Sequence, residues 1–459
     1  MWWIAAAFLA VQAGIIWLAA NGPFVDEGLY TVAGLRVLEG KGLSDGYLTW
    51  FNGSPFVWPV IAALGHHLGG LSGARLMAAI LSTVTLVALA KAAENLFGRS
   101  VAVWCALGFG INGLFLALAH FAVYDVVALT GLAVSMWCLT RSSTPDASRW
   151  VIGAAVAFAG AVIGKYGYMA MVVPLMGLLV SVRGLATSAR ALAGFLSVAG
   201  VILAAYFLLC FGSLVPTSSG TYLEQTFGRS RSHIAALQVV FGFVPFSLAS
   251  VGAVLAWRRG QRVLVVTCLL ALSVYPAFHL WTANFVSAQK HVVAGFLFAY
   301  LLAGVALERL WASRSRMTPV IVLAVLTIGG GFQCYWQDRS WSDTRALAYH
   351  LATNMKPGDR IVAESSWNYT LYLYPRGLIE SPADVIDANY PPDRHRLDVC
   401  RIPWVVGHPE SADLIRHAVE HCRHQRVLSA TTQQYYFDTA QGRLRVQPVV
   451  VGLYRLPPP

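Results

Sequence analysis

Apolar residues along this chain come in long blocks separated by short polar breaks. Block after block reaches the roughly 20 mostly apolar residues that a helix needs to cross a bilayer. The pattern predicts about eleven spans, near 2–20, 74–93, 100–118, 122–140, 150–164, 167–183, 191–211, 237–257, 263–281, 291–309 and 318–335. Gly and Pro occur freely inside them, as membrane helices tolerate. Met1 to Ala20 has no positive flank and is followed by further spans, so it reads as a retained first helix and not as a signal peptide.

Two stretches break the pattern. The first loop, 21–73, is too long for a plain connector. Within it, Tyr30 to Glu39 reads as a short amphipathic helix. Pro55 to Leu68 is apolar but too short to span, which predicts a segment lying along the membrane surface. Beyond residue 335 the blocks give way to alternating short elements. Asp343 to Met355 predicts a helix, and Lys356-Pro357-Gly358-Asp359 a turn. Arg360 to Ala363, Trp404 to Val406, Arg426 to Leu428 and Leu444 to Tyr454 predict strands, the last paired with Tyr435 to Asp438. Ala412 to Cys422 predicts a helix. The expected fold class is therefore an α-helical polytopic membrane protein with a small C-terminal α/β domain. The division falls at a transmembrane domain, 1–335, and a soluble domain, 336–459. No internal repeat suggests the inverted symmetry of many transporters.

Composition supports this reading. Hydrophobic residues make up 57% of the 459, charged residues only 12%, and mean hydropathy is +0.58. So few charges could not coat a soluble protein of this size. The net charge of +11 raises nucleic acid as a partner, but no basic run with interleaved aromatics is present, which argues against it. Most Lys and Arg sit singly in the breaks, as a topology signal does. With the N-terminus cytoplasmic, the inner loops hold Lys91, Arg99, Arg141, Arg149, Arg183, Arg190, Arg258, Arg259, Arg262, Arg309, Arg314 and Arg316. The opposite short loops hold Arg36, Lys41, Arg75, Lys165, Arg229, Arg231 and Lys290. An odd number of spans then places the C-terminal domain outside a plasma (inner) membrane, an orientation that one miscounted span would invert.

Ionisable groups at the membrane are costly and are functional candidates. Asp26-Glu27 follows the first span; the pair suits either a helix N-terminus or a general base at the membrane surface. Asp125 opens the fourth span on the same side, where it serves as an N-cap or joins Asp26 to hold a cation. Lys165 lies in an outer turn and Lys290-His291 opens a later span. Both fit snorkelling to the interface or binding a phosphate. Arg75 and His120 read as interfacial. His417 and His421 have i, i+4 spacing, but without an HExxH pattern a solvated helix face explains them. Of seven cysteines, Cys105, Cys138, Cys210 and Cys268 lie inside apolar blocks, and Cys334 closes the last one. Cys400 and Cys422 suit a disulfide if the domain is extracytoplasmic. Asn368-Tyr369-Thr370 fits a glycosylation sequon.

Three segments together resemble the C-type membrane glycosyltransferases, in particular the lipid A aminoarabinose transferases and the protein O-mannosyltransferases. They are Asp26-Glu27 with the helix through Arg36 and Leu38; Ala74-Arg75-Leu76 through Leu96-Phe97-Gly98-Arg99 to Ala122-Val123-Tyr124-Asp125; and Gly164-Lys165-Tyr166-Gly167 ahead of a span ending near Arg183. They cover about the first 185 residues. The resemblance implies transfer of a sugar from a polyprenyl-phosphate donor to a glycan, lipid or protein acceptor on the outer membrane face. It implies catalytic roles for Asp26, Glu27 and Asp125, and contact of Lys165, Lys290, His291 and Arg75 with the donor phosphate. Lys290-His291 stands where relatives often carry Arg-Tyr. A divalent cation, Mg²⁺ or Mn²⁺, on Asp26 and Asp125 is compatible with this set, and no other cofactor is implied. One departure stands out. Aminoarabinose transferases carry Glu-Lys-Pro late in the first loop, whereas this chain reads Gly53-Ser54-Pro55, so one charged contact is missing or supplied elsewhere. The competing readings are a transporter or lipid flippase without transferase chemistry, suggested by the many spans, and a non-catalytic assembly or sensor protein.

Overall fold

A computed structural model describes residues 2–18, 21–43, 53–143, 147–210, 231–283, 288–312, 317–388, 398–408, 413–438 and 443–456. The membrane part contains α1 (Trp2–Leu18), α2 (Val25–Leu38), α3 (Val57–Phe97), α4 (Arg99–Gly110), α5 (Gly113–Leu118), α6 (Asp125–Thr140) and α7 (Ala147–Gly164). A 3₁₀ turn, Tyr166–Met171, leads into α8 (Val172–Arg183), followed by α9 (Leu185–Cys210), α10 (Arg231–Arg258), α11 (Arg262–Thr282), α12 (Ala288–Trp311) and α13 (Met317–Asp338). Each of the eleven expected spans falls on helix, except that residues 19–20 and 211 lie outside the described residues and 122–124 precede α6. Among the described residues, 8 helices are long and apolar enough to cross a membrane, and α1 and α6 are apolar but shorter. The expected span at 100–118 is divided, because Asn112 caps α5 by accepting the Phe115 N–H at 3.1 Å. α3 bends where Gly69 and Gly70 leave helical geometry. Its first arm is the segment expected at the membrane surface, and Leu64 and Leu68 on it are exposed.

Lipid tails are as apolar as leucine, so membrane helices associate by close packing and buried polar contacts. α12 shows this most clearly. It is enclosed by α4, α10 and α11 and is almost wholly buried. Its first turn carries Lys290 and His291, so the most tightly held helix in the bundle presents them.

The C-terminal part is built on burial of apolar surface from water. It contains α14 (Arg345–Asn354), β1 (Ile361–Ala363), α15 (Ser366–Leu373), β2 (Val385–Asp387), β3 (Trp404–Gly407), α16 (Asp413–His421), β4 (Gln425–Asp438) and β5 (Arg443–Arg455). The sheet order is β2-β1-β3-β5-β4; β1 runs parallel to β2 and β3, and β5 is antiparallel to β3 and β4. Alternation along the strands separates two faces. Ile361, Ala363, Trp404 and Val406 face the cluster that contains Leu347, Leu351 and Leu373 of α14 and α15. Val362, Val405 and Tyr454 face Ile415 and Ala418 of α16. Cys400 and Cys422 form a disulfide that ties α16 to the turn before β3. The Asn368 and Thr370 side chains of the sequon are buried within α15, so the folded domain offers no accessible glycosylation site there.

This domain rests on the first loop. A Cβ placed on Gly28 of α2 would lie 2.2 Å from the Trp367 carbonyl oxygen of α15, so only glycine permits that approach. The Tyr374 hydroxyl donates to Glu39 Oε2 at 2.6 Å, and Lys41 Nζ donates to Tyr374 Oη at 3.2 Å. Asn21 Nδ2 donates to the carbonyls of Asp338 and Trp341, both at 3.0 Å. First loop and C-terminal domain therefore lie on one face of the bundle, however the spans between them are counted.

Candidate active site

Asp26 and Glu27 sit in the first turn of α2, where free N–H groups favour negative charge. Consecutive helical residues point about 100° apart, since the helix takes 3.6 residues per turn. Glu27 turns inward. Its Oε2 accepts the Phe24 N–H at 2.8 Å and Arg75 Nη2 at 2.7 Å. Its Oε1 accepts Arg75 Nε at 2.8 Å and the Ala122 N–H at 2.9 Å. Arg75 also donates to the carbonyls of Asn21 and Gly22, each at 2.9 Å. Burial alone would raise the Glu27 carboxyl, but Arg75 and the two backbone donors outweigh it and hold the group below the usual carboxylate value. This bidentate pair fastens the start of α2 to α3 and to the turn before α6. The two groups are engaged with each other and with the backbone.

Asp26 turns toward α12 and pairs with Lys290, whose ammonium lies 5.2 Å from the centre of the Phe24 ring. A second pair repeats the pattern. Asp125, at the start of α6, pairs with Lys165 from the turn after α7, and Lys165 lies 5.1 Å from the centre of the Tyr124 ring. Each lysine thus sits between a carboxylate and the face of an aromatic ring, an arrangement that favours a cation. The Tyr30 and Tyr124 rings meet at 4.5 Å between centres and join the two pairs. Burial, then Asp26, Tyr124 and Asp125, push the Tyr30 phenol well above its ordinary value. Burial draws the Lys165 ammonium down; Asp125 opposes this and Lys290 adds to it. Asp26, Asp125, Lys165 and Lys290 therefore form one charge cluster.

The two pairs differ in access. The side chains of Lys165 and Asp125 are 4% and 1% exposed, those of Lys290 and Asp26 18% and 26%. Buried Asp125 Oδ2 and Tyr168 Oη have no hydrogen-bond partner among the described residues, although Asp125 acts electrostatically on Tyr168. Unsatisfied polar atoms at such depth suit a hydroxyl-rich ligand.

The first loop closes against this cluster. Ser54 N–H donates to the Ile163 carbonyl at 2.8 Å, and a Cβ on Gly53 would lie 2.0 Å from the Gly164 oxygen. The departure Gly53-Ser54-Pro55 is thereby explained locally, because the chain passes directly over the turn that carries Lys165.

His291 adjoins the cluster and is hydrogen-bonded to His279 of α11. His120, expected at the interface, is instead buried. Its Nε2 lies 2.8 Å from Asp338 Oδ1 and its Nδ1 2.9 Å from the Leu116 carbonyl. The sequence reading missed Tyr30, Tyr124, Tyr168 and His279. Only the placement of Tyr124 beside Asp125 and the presence of a lone histidine in an apolar span could have signalled them. Among the described residues, groups of three or more metal-ligating side chains are His120–Cys334–Asp338 and Cys400–His417–Cys422. The disulfide occupies both cysteines of the second, and neither group includes Asp26 or Asp125.

Comparison with known proteins agrees with the family resemblance. Residues 53–209 match the family model described as dolichyl-phosphate-mannose-protein mannosyltransferase. A comparison with curated proteins finds no match. The fold is similar to that of ArnT from Cupriavidus metallidurans in the apo state, with a TM-score of 0.70 at 16% identity, covering 98% of this chain and 97% of that one. The structure of the same protein bound to undecaprenyl phosphate matches with a TM-score of 0.67, 16% identity and the same coverage. An oligosaccharyltransferase of Archaeoglobus fulgidus in complex with Zn and sulfate gives a TM-score of 0.50 at 12% identity, covering 96% of this chain and 72% of that one. The chain is thus a polytopic membrane protein of ArnT-like fold. The enzyme class expected from the sequence, a glycosyltransferase using a lipid-phosphate sugar donor, is borne out.

Proposed function

We propose that this protein transfers a sugar from a polyprenyl-phosphate donor to a hydroxyl of an envelope acceptor, on the outer face of the membrane and with inversion. The observation that carries this reading is the convergence of the Lys165–Asp125 and Lys290–Asp26 pairs beside the first loop. The ArnT of similar fold binds undecaprenyl phosphate, which supports a lipid phosphate as the ligand of the lysines.

In this mechanism the donor phosphate settles on Lys165 and Lys290. The acceptor oxygen attacks the anomeric carbon from the face opposite the phosphate. The bond between that carbon and the phosphate oxygen breaks, and its electron pair leaves with the polyprenyl phosphate. Positive charge grows on the sugar in the transition state, and negative charge grows on the phosphate, where the two ammonium groups stabilise it. Asp26, the more accessible carboxylate, accepts the proton of the attacking hydroxyl. Asp125 fixes Lys165 and offers its second oxygen to a sugar hydroxyl. Glu27 and Arg75 hold α2 and α3 in register and touch neither substrate. Two carboxylates that each face a lysine make a poor divalent-cation site, so no step is assigned to Mg²⁺ or Mn²⁺, and chelation leaves activity unchanged in this scheme.

The outward orientation draws on the Lys and Arg bias, and on the disulfide, which forms in oxidising compartments. The test is purified protein in liposomes given a panel of polyprenyl-phosphate sugars and envelope acceptors. Transfer that disappears in Lys165→Met supports the reading. Movement of labelled lipid across the bilayer without any glycosylated product would replace it with the flippase alternative.

A further inference from the structure

We infer that His279 is a positioning residue for the donor phosphate: through one hydrogen bond it fixes which nitrogen of His291 carries a proton. This rests on the proposal that Lys165 and Lys290 hold that phosphate, and on the contact of His291 with it that the family resemblance implies.

His279 Nε2 and His291 Nδ1 are 2.8 Å apart. The ring centres are 5.0 Å apart and the ring planes differ by 27°. At that separation two imidazoles joined by such a bond lie edge to edge and nearly coplanar, the arrangement an N–H···N bond requires. Tyr275 completes the setting. It stands four residues before His279 on α11, so it shares that helix face. Its ring centre is 5.2 Å from that of His291, and its hydroxyl donates to the Gly167 carbonyl at 3.1 Å. The His291 ring is thereby held at one edge by His279 and on one side by Tyr275, beside the turn that carries Lys165.

A neutral imidazole has one N–H, and the bond between the rings contains one proton. If His291 supplied it from Nδ1, its far nitrogen, Nε2, would be a bare lone pair. A phosphate oxygen is an acceptor only, so the two would repel. If His279 supplies the proton from Nε2, His291 carries its own on Nε2 and becomes a donor. Only the second arrangement suits an anion held by Lys165 and Lys290, both close enough to act on the His291 ring. The bond from the neighbouring helix thus determines whether His291 attracts or repels the ligand.

Binding of undecaprenyl phosphate to the full-length protein in detergent tests this without any knowledge of sugar or acceptor. His279→Phe keeps an aromatic ring but removes the donor, and should weaken binding about tenfold, the usual size of a lost hydrogen bond to a charged group. His279→Gln restores an N–H near the position of Nε2 and should return affinity to within about threefold of wild type. His291→Phe should cost as much as His279→Phe, and the double variant no more than either, because both act through one bond. Thermal unfolding is followed in parallel. Rescue of affinity by glutamine at an unfolding temperature equal to that of His279→Phe excludes a packing effect. Unchanged affinity in His279→Phe, additive losses in the double variant, or failure of glutamine to rescue would each overturn the assignment. Lys165→Met separates this from the reading beneath it. If that variant loses undecaprenyl phosphate and His279→Phe does not, only the positioning role fails. If neither loses it, the phosphate site itself lies elsewhere.

Discussion

Asp26 and Glu27 are neighbours in the chain, bear the same charge and occupy the same helical turn, yet their surroundings have little in common. Glu27 is sealed inside, with both oxygens bonded to Arg75 and to backbone donors. Asp26 sits at the accessible edge with one lysine opposite it. The comparison teaches that a buried charge earns a structural role when all its hydrogen-bonding capacity is met. A catalytic role needs capacity left over, together with a path to solvent or substrate. The same distinction separates Arg75 from Lys290. A guanidinium with a matching carboxylate and two carbonyls is fixed in place, whereas an ammonium on a flexible stem can change partners.

The largest expected effect falls on the Asp26 side. Asp26→Asn should leave the fold intact and lower kcat for sugar transfer by about 10²–10⁴, the usual contribution of a general base. Activity within a few-fold of wild type would erase the contrast. On the Glu27 side the loss should appear in stability. Glu27→Gln leaves Arg75 buried and unpaired and should cost about 3–5 kcal/mol, read as a fall in unfolding temperature and yield. A Glu27→Gln protein that unfolds like wild type but transfers no sugar would move Glu27 into the catalytic set. Gly28→Ala comes next, at about 1–3 kcal/mol for overpacking against Trp367, and increased protease cleavage after Asp338 would report the loosened domain. The smallest effect concerns acid. The Glu27 carboxyl lies below its ordinary 4.5 in the folded protein, so it contributes stability above that value. The contribution is lost as pH falls from about 4.5 through the folded value, where the unfolded chain binds the proton more readily. Unfolding temperature should drop across that window in wild type and change less in Glu27→Gln.

How much of this could be read from sequence follows the same division. Asp26, Asp125, Lys165 and Lys290 were legible because a chain with so few charges leaves few candidates at the membrane surface. Their pairing was not legible, since Asp26 meets a lysine 264 residues away. Glu27 and Arg75 carried the same surface signal as the others; only tertiary structure reveals that they face each other across 48 residues. His279 gave a weaker signal, one polar ring in an apolar span. In the C-terminal domain the helices near 343–355 and 412–422 and four strands were found, because alternation and turn residues mark them. β2 and α15 were missed. β2 is 3 residues long and α15 only 8, too short for either periodicity to stand out. β4 was expected as two separate strands but runs unbroken over 14 residues, with an irregularity between Arg426 and Leu428.

The cover that α15 gives to α2 also has a consequence for biosynthesis. The contact between Glu39 and Tyr374 joins residues 335 positions apart. At the usual rate of ~5–20 residues per second, the ribosome makes the second partner about 20–70 s after the first. Through that interval α2 is inserted at the membrane without the domain that will press on it. The helix bearing Asp26 reaches its final setting only after α15 has been made. A chain interrupted before α15 would contain every charged residue of the site and still lack the support that holds them in place.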